Sequence, residues 1–178
     1  CICVVFLMRR LPPRSTQSRS SAASDVYKRQ YFDRIRKVKL KNSKLVAFGS
    51  TRRANTKVHE DDNILSLLRA ETPAIAVFGK SWDFHVNSII RTTLDENLRM
   101  ISETIGFMKE KGKEVIFDAE HFFDGYKSNP DYALHTLKAA QDAGADWLVL
   151  CDTNGGSFPW EIGDITGKIS NILEAPIG

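Results

Sequence analysis

A chain of 178 residues, 42% apolar and 26% charged, is long enough for one domain with a substantial core, yet short of the roughly 250 residues of a complete eight-stranded α/β barrel. No stretch approaches the ~20 consecutive apolar residues of a membrane-spanning helix. The net charge of +3 describes the leading segment alone: residues 1–30 carry six Lys and Arg against Asp25, which leaves −2 for the remainder and no basic surface to suggest nucleic acid.

Residues 1–30 form the first unit. Their apolar run, Cys1–Met8, precedes Arg9 and Arg10, the reverse of a signal peptide. The stretch ending SAASDVYKRQ resembles the translated adapter tails of conceptual proteins; a targeting leader is the other reading. Either way, residues 1–30 are expected to be disordered and outside the fold, being rich in Ser, Arg and Pro without a periodic apolar face. Cys1 and Cys3 are too close to clip a loop, and Cys151 stands alone, so a reducing compartment is expected and a disulfide framework is not.

From Tyr31 onward, short apolar runs alternate with amphipathic stretches. Tyr31–Leu40 reads as the tail of a helix, followed by a strand at Leu45–Phe48 and a short helix over Asn63–Ala70. Ala74–Phe78 is the next strand. Thr93 and Glu96 form a capping-box pattern, and Leu94, Leu98, Ile101, Ile105 and Met108 step along one helical face to Gly112. Val115–Phe117 is a strand, Asn129-Pro130 opens a helix running towards Gly144, and Trp147–Leu150 is a strand. Ser157–Leu173 is a helix with Pro159 in its first turn, and Pro176-Ile177 begins one more strand.

The strand starts at Leu45, Ala74, Val115, Trp147 and Pro176 are spaced by 29, 41, 32 and 29 residues. Near-continuous apolar strands at this repeat indicate a parallel sheet buried on both faces. A barrel and a doubly wound open sheet both satisfy that pattern.

Polar residues follow each strand: Ser50-Thr51-Arg52-Arg53, Lys80-Ser81, Asp118 with Glu120-His121, and Asp152-Thr153-Asn154. In a barrel these ends converge on one face, where active sites lie. Asp118 and Glu120, two apart, project to the same side of a strand, as a cation site or an acid–base pair requires. Asp118 is nevertheless expected to bond a neighbouring strand's backbone or an Arg, leaving Glu120 reactive. Gly155-Gly156 would let backbone approach a ligand closely. Phe122, Phe123 and Tyr126 either roof a pocket or pack over the rim. Among the histidines, His59 and His135 read as solvated, His85 as a pocket lip, and His121 lies beside Glu120. No HxH, HExxH, P-loop or GxGxxG spacing occurs.

The runs KLKNSKLVAFGSTRR (Lys39–Arg53), FGKSWDFHV (Phe78–Val86), VIFDAEHFFDGYKSNPDYAL (Val115–Leu134) and AGADWLVLCDTNGG (Ala143–Gly156) resemble the citramalate synthase branch of the isopropylmalate synthase family, in the DRE-TIM metallolyase superfamily. The likeness covers essentially all of residues 31–178. It implies an α/β fold, a partial TIM (β/α)8 barrel with roughly strands 3 to 6, their helices and the start of strand 7. It also implies an acyltransferase that condenses acetyl-CoA with pyruvate and hydrolyses the thioester, on a route to isoleucine, with a divalent metal (Mg, Mn or Zn) polarising the 2-oxo acid. By position, Glu120 matches the family's strand-end glutamate of proton transfer, and Thr153 the threonine that bonds the 2-oxo acid carboxylate. Asp152 would orient that loop, and Asn154 and His85 would line the substrate's edge.

Two motifs of the family fall elsewhere. The Arg-Asp pair is expected before Tyr31 and the His-x-His metal pair after Gly178, so no metal ligand is expected within this fragment and the isolated chain is expected to be inactive. The parent protein would be a cytoplasmic homodimer with small-molecule substrates and no nucleic-acid or membrane partner. The alternatives are a 2-isopropylmalate or homocitrate synthase-like enzyme, an aldolase or lyase relative, and a non-catalytic barrel fragment.

Overall fold

The computed structural model describes residues 2–5, 32–35, 38 and 40–178. Five parallel strands form one sheet: β1 (Ile2–Val5), β2 (Lys44–Ser50), β3 (Ala74–Lys80), β4 (Glu114–Glu120) and β5 (Trp147–Leu150). Their spatial order is their chain order. A doubly wound sheet reverses direction partway across, whereas a barrel adds each strand beside the last. The unbroken order therefore resolves what spacing left open: this is a partial α/β barrel. Beyond β5, Ile177 bridges Leu148 in parallel, and Gly178 N–H donates to the Leu148 carbonyl at 2.8 Å, so the next strand begins where Pro176-Ile177 places it.

The helices are α1 (Asp62–Arg69), α2 (Leu94–Glu110), α3 (Phe122–Ser128), α4 (Pro130–Asp142) and α5 (Pro159–Ser170). A short turn over Asp83–His85 runs into a wider π-helical turn over Val86–Ile90 before α2. Alternation along the strands sorts their side chains into two layers. Leu45, Ala47, Ile75, Val77, Val115, Phe117, Ala119 and Leu148 face the helices and join one large core. Val46, Ala74, Ala76 and Ile116, with Phe48 and Val149, form a smaller cluster on the inner face.

Local chemistry sets the helix ends. Asp61 caps α1 by accepting the N–H groups of Asn63 and Ile64, and Asn129 caps α4 by accepting that of Tyr132. Thr93 accepts the Glu96 N–H at 3.1 Å, but the reciprocal half of the expected capping box is missing. The Glu96 carboxylate is spent instead on Arg52, Arg99 and the Asn55 N–H. The buried stripe of α2 also includes the polar Asn97 and Thr104, while Leu94 and Leu98 are only half-buried.

Of the leading segment, residues 2–5 lie within the described residues. Ile2–Val5 pair with Lys44–Ala47, because an apolar, β-branched run satisfies the backbone groups along the edge of β2. The expectation for residues 6–30 lies outside the described residues. Of the helix expected over Tyr31–Leu40, residues 32–35 are helical, with Phe32 buried in the core, while Leu40 lies outside any helix.

Candidate active site

The four strand-end clusters divide sharply. Arg52 turns away from the inner face and is 4% exposed. Its guanidinium donates to Glu96 and Glu103, both at 2.7 Å, and its backbone N–H to Thr104 Oγ1 at 3.0 Å, which ties the end of β2 to α2. This Arg belongs to the scaffold. Ser81 is likewise fully buried, where Thr136 Oγ1 donates to its hydroxyl at 3.1 Å. What remains at the mouth is the end of β3, the end of β4 and the loop after β5.

There the Lys80 ammonium is ion-paired with Glu120 across the β3–β4 register. His121 follows in the left-handed conformation (φ 55°), which turns the chain from strand directly into α3. Gly125 lets α3 sit this close: a Cβ there would lie 2.4 Å from the Ser81 carbonyl oxygen. The His121 backbone N–H donates to Thr153 Oγ1 at 2.9 Å. Asp124 joins the two loops from below, its Oδ2 lying 3.3 Å from His121 Nδ1 and accepting from Asn154 Nδ2 at 3.0 Å. Asp152 accepts the N–H groups of Gly156 and Ser157 at 3.3 and 3.2 Å, and Gly155 (φ 63°) closes the turn. Space beside both Gly155 and Gly156 is open, and of the two only Gly155 takes a left-handed φ.

His85 reaches the same place from the loop after β3. Its ring meets that of His121 edge-on at 4.4 Å and lies 4.7 Å from that of Trp82. Burial, and then the neighbouring His121 and Lys80, hold its imidazole below the ordinary range, which favours the neutral ring. His85 Nδ1 and Trp82 Nε1 are buried without a hydrogen-bond partner among the described residues. Glu120, Thr153, Asn154 and His85 are thus brought together around His121 and Asp124, with Asp152 bracing the loop one step away. Asp124 escaped the sequence reading; its only signal was its position three residues after His121 in the first turn of a helix.

Asp118 corrects an expectation. Among the described residues it accepts no hydrogen bond and forms no ion pair, so neither a strand backbone nor an Arg occupies it. It points to the inner face, in register with Phe78 on β3 and Val149 on β5. Burial pushes its carboxyl up to about 6. Cys151, just past β5 on the same face, is pushed up to about 12 by burial, with Asp118 and Glu120 adding to the shift. Phe122 and Phe123 are buried in the core and roof nothing; Tyr126 packs against that core. His59 and His135 are exposed. Among the described residues no three His, Cys, Asp or Glu side chains are grouped to hold a metal, and no helix is long and apolar enough to cross a membrane. A shallow hollow at the opposite end of the sheet is lined by Lys109, Lys113, Glu114, Asp146 and Trp147; there Lys109 and Asp146 are paired with each other at 2.7 Å.

A partial α/β barrel whose polar groups gather at the C-terminal ends of its strands defines the class. The chain belongs to the HMGL-like family, whose model matches residues 24–178. It is 60% identical over 139 residues to the (R)-citramalate synthase of Aquifex aeolicus, covering 78% of this chain and 26% of that protein. To the (R)-citramalate synthase of Geobacter sulfurreducens it is 51% identical over 148 residues, 83% of this chain and 28% of that one. The chain therefore spans about a quarter of the length of these relatives. Among solved structures, the HMG-CoA lyase of Brucella melitensis superposes with a TM-score of 0.63 at 14% identity, over 83% of this chain and 51% of that one, a likeness of fold.

Proposed function

We propose that the full-length protein is a citramalate synthase, which condenses acetyl-CoA with pyruvate and hydrolyses the resulting thioester to release CoA. The observation that carries this reading is the 60% identity to the Aquifex aeolicus enzyme over 78% of the chain. The mouth geometry supports it. Glu120, set beside Lys80, is placed to move a proton of the acetyl methyl group or of a water beside it. The Thr153 hydroxyl accepts the His121 N–H, which leaves its own proton to donate to the carboxylate of the 2-oxo acid. Asp152 fixes the loop that presents Thr153, while Asn154 and His85 border the substrate.

A divalent metal in the full-length enzyme would polarise the keto group. The described side chains offer no three-donor cluster for it. A cytoplasmic, homodimeric protein acting on small molecules completes the reading. The full-length protein, given pyruvate, acetyl-CoA and a divalent cation, is expected to release free thiol and form citramalate, identified by mass spectrometry. Turnover of 2-oxoisovalerate or 2-oxoglutarate in preference to pyruvate would replace this reading with an isopropylmalate or homocitrate synthase. The 178-residue chain alone is expected to form no citramalate in the same assay.

A further inference from the structure

Helix α3 is tied along one side to the loop after β5. His121 at its entrance, Asp124 and Lys127 follow at intervals of three residues, the spacing that lines side chains up along a helix. Each meets that loop. The His121 backbone N–H donates to Thr153 Oγ1 at 2.9 Å, Asp124 Oδ2 accepts from Asn154 Nδ2 at 3.0 Å, and Lys127 Nζ donates to Ser157 Oγ at 3.1 Å. A backbone bond from the Phe122 N–H to the Cys151 carbonyl, at 3.1 Å, adds a fourth tie. Asp124 Oδ2 also lies 3.3 Å from His121 Nδ1, and because a carboxylate only accepts, the imidazole presents Nδ1–H to it. All these bonds run between the end of β4, α3 and the loop after β5, which are neighbours in the barrel wall. None depends on strands elsewhere in the barrel.

Thr153 and Asn154 are exposed, whereas the Asp124 side chain is only 19% exposed and rides on a helix. An exposed threonine or asparagine on a loop ordinarily samples several rotamers, and ordering it against a ligand costs free energy at the moment of binding. A hydrogen bond to a group already held by a helix removes that freedom in advance. We propose that Asp124 is a positioning residue for the 2-oxo acid: through one oxygen it holds His121 and Asn154 together, and so sets the Thr153 hydroxyl and the Asn154 amide in place before the ligand arrives. The link to Thr153 runs through His121, whose ring is held by Asp124 and whose N–H rests on the Thr153 oxygen. This rests on the reading of the substrate as pyruvate. Glu120 keeps the proton transfer of the reaction. A residue that only pre-orders a binding group serves ground state and transition state alike, so its loss raises KM and leaves kcat near its original value.

The test is steady-state kinetics of the full-length protein with pyruvate, acetyl-CoA and a divalent cation, measuring the two KM values separately. Asp124→Ala is expected to raise KM for pyruvate about ten- to a hundredfold, with kcat and KM for acetyl-CoA within about threefold of wild type. Asp124→Asn, which keeps a carbonyl oxygen able to accept from both neighbours, should recover most of that loss, as an amide could not for a group that transfers a proton. Adding Asn154→Ala to Asp124→Ala should raise KM by less than Asn154→Ala does alone, because the two residues act through one bond. If Asp124→Ala does not fold, Asn154→Ala breaks the same bond from the exposed loop and should raise KM for pyruvate about three- to tenfold. An unchanged KM for pyruvate in the folded variants, a parallel rise in both KM values, full additivity in the double variant, or a hundredfold loss of kcat in Asp124→Asn overturns the proposal. Wild-type protein that forms no citramalate from pyruvate overturns the substrate reading and takes this inference with it. Wild-type turnover with an unresponsive Asp124→Ala overturns this inference alone.

Discussion

Glu96 and Asp118 are both acids drawn into the protein, one behind the sheet and one in front of it, and their surroundings push them in opposite directions. Glu96, 7% exposed on α2, accepts from Arg52 and Arg99 and from the Asn55 N–H; the hydrogen bond from Arg52 is the chief cause that holds it near 2. Asp118 is only partly buried and has no donor among the described residues, and burial alone takes it to about 6. On the helix-facing side Glu96 is fully partnered, although the neighbouring Asn97 Oδ1 is buried without a partner among the described residues; on the inner face Asp118 is left open where a ligand would lie. A scaffold gains from the first arrangement. A site gains from the second, because an unsatisfied group is free to interact with something that arrives.

The largest stability effect should come from the closed side. In the full-length protein, Arg52→Ala leaves Glu96 buried without its main partner and should cost about 3–5 kcal/mol by chemical denaturation. Replacing both residues, as Arg52→Met with Glu96→Leu, should recover most of that loss; an equal loss in the double variant would show that the pair matters for some other reason. Acid titration separates the two carboxyls next. Glu96 is depressed from 4.5, so the stability it contributes is present above that value and lost as pH falls towards 2. Asp118 is raised from 3.8, so its contribution is present below that value and lost as pH rises through about 6. Asp118→Asn should therefore stabilise the protein at mildly alkaline pH and do little at low pH, while Glu96→Gln should weaken it most above the ordinary carboxylate range. Melting temperatures across pH check both signs. The smallest effect belongs to the exposed Lys44–Glu114 pair, where Lys44→Met should change stability by less than about 1 kcal/mol.

Much of this comparison could be read in the sequence, and the part that could not has identifiable causes. Four strands, the start of a fifth and the long helices were marked by apolar runs, caps and breakers, because those signals are local. The left-handed His121 hid α3: a strand passing into a helix with no intervening loop offers no turn residue to recognise. Glu96 matched a capping box by spacing, yet its carboxylate went to Arg52, 44 residues earlier in the chain, and no local pattern reports such a partner. Period-two alternation put Asp118 and Glu120 on one side of a strand but could not say that β3 would bring Lys80 to Glu120 and only Phe78 to Asp118. Residue types at the strand ends suggested one shared site. The structure divides them, with Arg52 and Ser81 going to the scaffold and Glu120, Thr153, Asn154 and His85 to the mouth.

The division between a stabilising side and a reactive side is tested most directly at Glu120. Glu120→Gln in the full-length protein should lower kcat for citramalate formation by about a hundred- to ten-thousandfold, as expected for loss of a proton-transferring group, while its unfolding midpoint stays close to wild type. Unchanged turnover, or a loss of turnover matched by a collapse of the unfolding midpoint, would contradict the assignment of this face to chemistry.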